Sequence, residues 1–422
     1  MSVHPVKRPR LSNARASQSH PVRSQESRDP EPERTRAQNC TGASRKNAVI
    51  KTALGDIPPY NDYPYHLEDK FNKKLYSIGG FRCDDHSNTP TTDFYVCDTS
   101  TMQWTNRTNC LTKRDPYAVQ RNPLSRAERT RSTKPQALPA INVPGVALLR
   151  LETRSFVVMF GGFASNRARS QTLIIDPDRR EWWELQIAGG DVVPRINPAM
   201  VGINNKIYIF SGYRQFGANT QAHQSYSIME FDLDSGDCRW TTRDRPYPAL
   251  VRAGQAFQDA CSVFDGIKIL LTPGEPTESK EPINITLENT FFYHVTNDSF
   301  QSATAGISGA LPQKMRWYDT YCPPRPQKST SNSSESTESI LICAYIDVPG
   351  TGDVSPEVWR LSLCPVDKIE CLGINKKIWD LDSQFKCSTC VDGLIRLLGT
   401  SKDDAEDANA TFDIYVDIPW KK

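Results

Sequence analysis

The stretch "SFVVMFGGFASNRARSQTLIIDPDRREWWEL", Ser155 to Leu185, decides the fold class. It opens on an apolar run that stops at Gly161 and Gly162, continues through an isoleucine-rich run, and ends on Trp182 and Trp183. Short apolar runs bounded by glycine and Asp-Pro-Asp turn signals read as strands, not as helices. A single hairpin would satisfy this local pattern, so the deciding test is recurrence.

The pattern recurs in order along the chain. "KLYSIGGF", Lys74 to Phe81, is followed by "TTDFYVCDTSTMQW", which ends on Trp104. "KIYIFSGYRQF", from Lys206, leads to "QSYSIMEFDLDSGDCRW", with Ser211 in place of the first glycine. Three copies are weaker: "KILLTPGE" before "NTFFYHVTNDSF", with Phe300 at the tryptophan position; "SILICAYID" before "PEVWRLSLCPVDKIECLGI"; and "GLIRLLGT" before "TFDIYVDIPW". Each copy reads as four short strands, the third shown by the alternation of Phe94 and Val96 with Tyr95 and Cys97 before a turn at Asp98 to Met102. A unit of this size cannot bury both faces alone, so copies must stack. Glycines are expected where backbones crowd or φ is positive, and the tryptophan as an apolar plate between neighbouring sheets. Radial stacking of such units closes into a β-propeller.

The glycine pair, the spaced aromatic strand and the tryptophan resemble kelch repeats, whose propeller is also that of galactose oxidase. The resemblance is best at Phe71 to Thr105, Val146 to Leu185 and Pro194 to Thr241, and clearest in "PRINPAMVGINNKIYIFSGY". It implies an all-β kelch-type propeller of six blades, each of four antiparallel strands, with five or seven blades as the alternatives. The last unit ends after its third strand. The strand-like segment Asn47 to Leu54 is therefore expected to supply the outer strand of the last blade against Phe412 to Ile418, because an unpaired edge invites aggregation. The expected division is a disordered basic tail, 1–45, and a propeller, 46–422.

Charge is segregated along the chain. The total is 51 Lys and Arg against 49 Asp and Glu. Residues 1–46 hold ten basic against four acidic side chains and 113–134 hold seven against two, so the remainder has an acidic excess of nine. Both basic segments are polar and poor in aromatics, the composition of disorder. "KRPR", Lys7 to Arg10, reads equally as a nuclear-import cluster or as an ordinary solvated tail. No signal peptide or membrane-spanning apolar run is evident, so a monomeric cytoplasmic or nuclear protein without a membrane partner is expected. In a reducing compartment the 12 cysteines are expected as free thiols. Cys387 and Cys390 have no second pair to complete a zinc ribbon, and sequons such as Asn106 and Asn284 carry little weight without secretion.

Strand alternation places the loop after each glycine pair and the link between blades on one face. Most of the extra length falls there, at Phe81 to Thr92, Phe163 to Gln171, Tyr213 to Gln224, Glu275 to Leu287 and the basic link Lys113 to Ala140; Pro323 to Ser339 goes to the opposite face. Kelch propellers commonly bind proteins through this face. Matching positions here are Phe81, Arg82, Phe163, Arg195, Asn197, Tyr213 and Arg214. Aromatics and arginines suit binding hot spots; for Phe81, Phe163 and Tyr213, packing the loop over the channel is the plainer reading.

The function expected is a non-catalytic interaction scaffold with a protein partner and no cofactor. An enzyme on the channel face is the first alternative. A copper oxidase is disfavoured, because His66, His86, His223 and His294 occupy unrelated positions in their units and no nucleophile-base or metal-ligand spacing is evident. Binding of nucleic acid or acidic surfaces by the basic segments is the second alternative. The first 46 residues are too short and polar for a BTB, F-box or RING module.

Overall fold

The computed structural model describes residues 49–59, 65–82, 89–114, 135–152, 154–164, 167–185, 192–214, 221–231, 238–251, 256–263, 266–273, 290–303, 317–321, 339–347, 354–362, 369–371, 383–391, 394–401 and 414–419. All of them belong to one compact unit, Gly42–Lys422. The expectations for the tail, for Lys7 to Arg10 and for most of the Pro323 to Ser339 insertion lie outside the described residues.

The architecture is all-β and propeller-like, built from antiparallel meanders with a single 3-10 turn at Thr108–Cys110 among the described residues. The first sheet is Tyr65–Asp69, Lys74–Ile78, Phe94–Asp98 and Gln103–Asn106; the second is Gly145–Leu151, Arg154–Phe160, Thr172–Asp176 and Glu181–Glu184. The third runs Ala199–Ile203, Lys206–Phe210, Ser225–Phe231, Cys238–Pro246, and the fourth Phe257–Val263, Lys268–Pro273, Phe291–His294, Ser299–Ser302. The fifth is Trp317–Tyr321, Ser339–Asp347, Val354–Ser362 and Ile369–Cys371. The sixth takes Ser383–Val391, Leu394–Ser401 and Ile414–Pro419, and its outer strand is Val49–Thr52 from the other end of the chain. That pairing is antiparallel, with Val49 opposite Asp417 and Thr52 opposite Ile414. The first strand of each sheet lies against the first strand of the next, and that of the sixth against that of the first.

Six uniform four-stranded blades were expected, and this needs correction: four of the sheets, not six, are four-stranded. The first and second each carry a fifth, parallel strand on the outer edge, Leu54–Gly55 beside Gln103–Asn106 and Thr112–Lys113 beside Glu181–Glu184. In both cases the chain runs along the outer edge of a sheet before turning inward. The backbone groups of that outer edge are thereby paired instead of left open. For the same reason the basic link does not begin on the glycine-turn face. Thr112 bridges Pro135, and Gln136 donates its N–H to the Leu111 carbonyl at 2.8 Å, so the described chain on either side of residues 115–134 meets at the outer rim of the second sheet.

The adjacent tryptophans of the opening stretch follow from the strand period of two. Trp182 joins the core between the first and second sheets, with Tyr76, Phe94, Met159 and Leu173; Trp183 points the other way, into the core with Phe156, Ile207, Met229 and Trp240 between the second and third. Trp104 is buried beside Leu398 of the sixth sheet, which packs the last unit against the first. Phe300, at the tryptophan position of the fourth unit, lies edge-on to Tyr293 with ring centroids 5.2 Å apart. Truncating one such plate costs about 3–5 kcal/mol. Among the described residues no helix is long and apolar enough to cross a membrane.

Candidate partner-binding face

The glycine turns are where the sheets are tied together. Gly161 and Gly162 adopt φ of 74° and 84°, and a Cβ on Gly161 would lie 2.3 Å from the Arg195 carbonyl oxygen, so the backbone approach requires glycine. At the matching position of the third unit Ser211 takes φ 50°, and its buried hydroxyl donates to the His223 carbonyl at 3.3 Å.

From these turns the backbone forms one stitched platform. Phe163 and Asn142 exchange N–H to carbonyl bonds of 2.7 and 3.0 Å, and Tyr213 and Ile196 do the same at 2.7 and 2.9 Å. Gly162 donates to Arg195 at 2.7 Å, Arg169 donates to Gly162 at 2.8 Å, and Asn197 donates to Val143 at 2.8 Å. Thus each turn is bonded to the link that enters its own sheet, and the second turn also to the link entering the third. Val143 and Asn197 occupy equivalent places in the two links and share positive φ, 46° and 49°.

This platform brings Phe163, Asn197, Tyr213 and Arg214 to one end of neighbouring sheets. Phe163, Asn197 and Tyr213 are half-buried and Arg214 is exposed. Phe81 and Arg82 lie in the corresponding turn of the first unit, in a short hairpin that pairs them with Pro90 and Thr89.

Arg195 is different, and here the expectation of a partner contact is corrected. Its side chain is 0 % exposed. The guanidinium donates to the Ser211 carbonyl at 2.7 Å and the Ser225 carbonyl at 2.9 Å, to the Ser225 and Ser227 hydroxyls at 3.0 and 3.1 Å, and to Asp244 at 2.7 Å. A cation this deep needs an anionic partner and hydrogen bonds; Asp244 supplies the first, and both terminal nitrogens are bonded, while the buried Nε has no acceptor among the described residues. Sequence reasoning did not single out Ser225, Ser227 or Asp244. The available signal was two serines spaced by two on one strand, a small polar stripe on a sheet face that otherwise carries large apolar side chains.

Of the candidate histidines, His86 lies outside the described residues, and His66 and His223 have enclosed rings. His223 is 2 % exposed, and its Nε2 lies 3.1 Å from the Pro194 carbonyl, an acceptor that requires the ring to donate. Burial, with the Arg195 and Arg214 cations pressing in the same direction, lowers its pKa to about 4. Burial likewise lowers His66, on the first strand of the first sheet, to about 4. His294 contacts Gln301 at 2.9 Å. Burial also pushes the Cys97 thiol up to about 12, so it behaves as a small apolar side chain beside Met102. Among the described residues no three His, Cys, Asp or Glu side chains are grouped to hold a metal ion.

Beside the platform, a cleft between the first and second sheets is lined by Tyr65, Gly79, Thr91, Ile141 and Met159. The buried Thr91 hydroxyl faces no partner there among the described residues, and the cleft has room for about one water molecule. That is far less than a metabolite or cofactor requires. Compared with known proteins, the chain matches no protein-family model and no curated sequence.

Proposed function

We propose that the chain is a kelch-type propeller, its six sheets acting as blades of one ring, and that its glycine-turn face docks a protein partner without catalysis. The observation that carries this reading is the stitched platform: reciprocal backbone bonds hold the Phe163 and Tyr213 turns rigidly to the links beneath them. Rigid loops lose little conformational freedom on binding, so aromatic and arginine side chains presented there act as anchors at low entropic cost. Phe163, Tyr213 and Arg214 are the anchors, with Phe81 and Arg82 extending the face to the first unit. Arg195 and Asn197 serve as its support.

The test is quantitative affinity capture from extract of the source cell, with the full chain immobilised. A Phe163→Ala, Tyr213→Ala, Arg214→Ala triple variant should lose at least ten-fold of a stoichiometric partner, about 1.4 kcal/mol or more. Equal recovery of the same proteins by the variant and the wild type, both with unchanged melting temperature, would refute the assignment of this face.

A further inference from the structure

The outer rim of the second sheet lies away from that platform and has a different chemistry. The short strand Thr112–Lys113 adds to the edge of Glu181–Glu184, and Arg114 continues the line by donating its N–H to the Trp182 carbonyl at 2.8 Å. The exposed Lys113 ammonium stands 5.2 Å from the centre of the Trp182 ring, and the exposed Arg114 guanidinium 5.3 Å from that of Trp183. Arg179 and Arg180, in the turn leading into the same edge strand, are also exposed. Their backbone adjoins the added strand, because the Thr112 N–H donates to the Arg180 carbonyl at 2.9 Å. Four cations therefore line one edge.

Among the described residues most of the carboxylates around this edge are engaged. Asp176 is buried between Arg154 and Arg179, Asp178 is ion-paired to Lys74 at 2.6 Å, and Glu181 is buried. Glu184, at the far end of the edge strand, is exposed. The edge thus retains a cationic excess on a chain whose non-basic remainder is acidic overall. Long-range fields would steer a polyanion to this edge and away from the rest of the surface.

We infer that this rim binds the phosphate backbone of nucleic acid, without regard to sequence. Two observations choose this partner class over an acidic peptide or a base-stacking mode. Trp182 and Trp183 are 2 % and 7 % exposed with their rings covered by the cations, so neither offers a free aromatic face to a base. The large apolar side chains exposed among the described residues, Leu54, Phe71, Val193, Leu250 and Ile267, do not belong to this edge, so its described residues offer no apolar anchor to a peptide. Exposed Lys and Arg along the strand edge remain, Lys113 held over Trp182 on one face of the sheet and Arg114 over Trp183 on the other, and these are phosphate ligands.

The experiment measures fluorescence anisotropy of a labelled 20-base-pair DNA duplex of arbitrary sequence with the full chain, from 50 to 200 mM salt. A Lys113→Gln, Arg114→Gln, Arg179→Gln, Arg180→Gln variant should bind at least ten-fold more weakly at 100 mM salt. Its slope of log affinity against log salt should be shallower by about 3–4, one step for each phosphate no longer neutralised. Since the first two substitutions also remove cover from the tryptophans, the Arg179→Gln, Arg180→Gln pair alone should lower the slope by about 2 at unchanged melting temperature. Arg114→Lys, Arg179→Lys, Arg180→Lys should retain binding within about two-fold, since phosphate binding needs the charge. An identical slope and affinity for the Gln variants and wild type would overturn the inference. So would failure of the wild type to bind at 50 mM salt, or displacement of the duplex by poly-glutamate at equal charge concentration, which would assign the rim to an acidic protein.

Discussion

At the scale of single residues, Arg195 sets how the platform is held. Its five bonds join the strand bearing Ser225 and Ser227 to Ser211 and Asp244, so the charge that looks suited to a partner is spent inside the third sheet. Asp244→Ala leaves a buried cation without its anion and is expected to cost about 3–5 kcal/mol. Chemical denaturation of the variant checks this, and a loss below about 1 kcal/mol would mean that the serines and carbonyls alone satisfy the guanidinium. The position was legible from the sequence as part of a Pro-Arg start. Its direction was not, because whether an arginine faces water or the interior depends on which acceptors the next strands bring to it, and those lie 16 to 49 residues away.

At the scale of elements, the joining of the chain's two ends by Val49–Thr52 against Ile414–Pro419 replaces a covalent link with a ladder. This pairing was readable, because the last unit lacked a strand and the segment before the first unit had a strand's composition. Without it Ile414–Pro419 becomes an open edge. Deleting residues 1–52 should lower the melting temperature and bring on aggregation at the transition, seen by light scattering during a thermal ramp. A synthetic Asn47–Leu54 peptide added in trans should reverse part of both effects. An unchanged melting temperature would show that the ladder does not stabilise the ring. The two-residue strands Leu54–Gly55 and Thr112–Lys113 gave no readable signal, since two residues carry no period; they are strands only because a neighbouring edge offers them partners.

At the scale of the whole molecule, stability is linked to pH through His66, whose ring nitrogens are enclosed, and the buried His223. Both have folded pKa values of about 4 against an ordinary 6.5. The unfolded chain therefore binds protons more readily than the folded one between these values, and stability rises with pH across that window. Their contribution is complete above about 6.5, is lost as pH falls towards 4, and is level below it. Urea unfolding at intervals from about pH 7 to about pH 4 should show the decline, and a His66→Gln, His223→Gln variant should show a shallower one; an equal slope in both would remove the histidines from the linkage.

What the sequence by itself determined was the all-β class, the recurring four-strand unit, the glycine turns and the tryptophan plates. Each of these is encoded within some thirty neighbouring residues by strand period, positive-φ sites and apolar patterning. Only the tertiary structure decided that Trp182 and Trp183 serve different interfaces, that Arg195 is interior while Arg214 is exposed, and that the basic link is anchored on an outer rim. Those outcomes depend on what stands opposite each residue once sheets pack, and burial, ion pairing and edge pairing are properties of two surfaces, not of one segment.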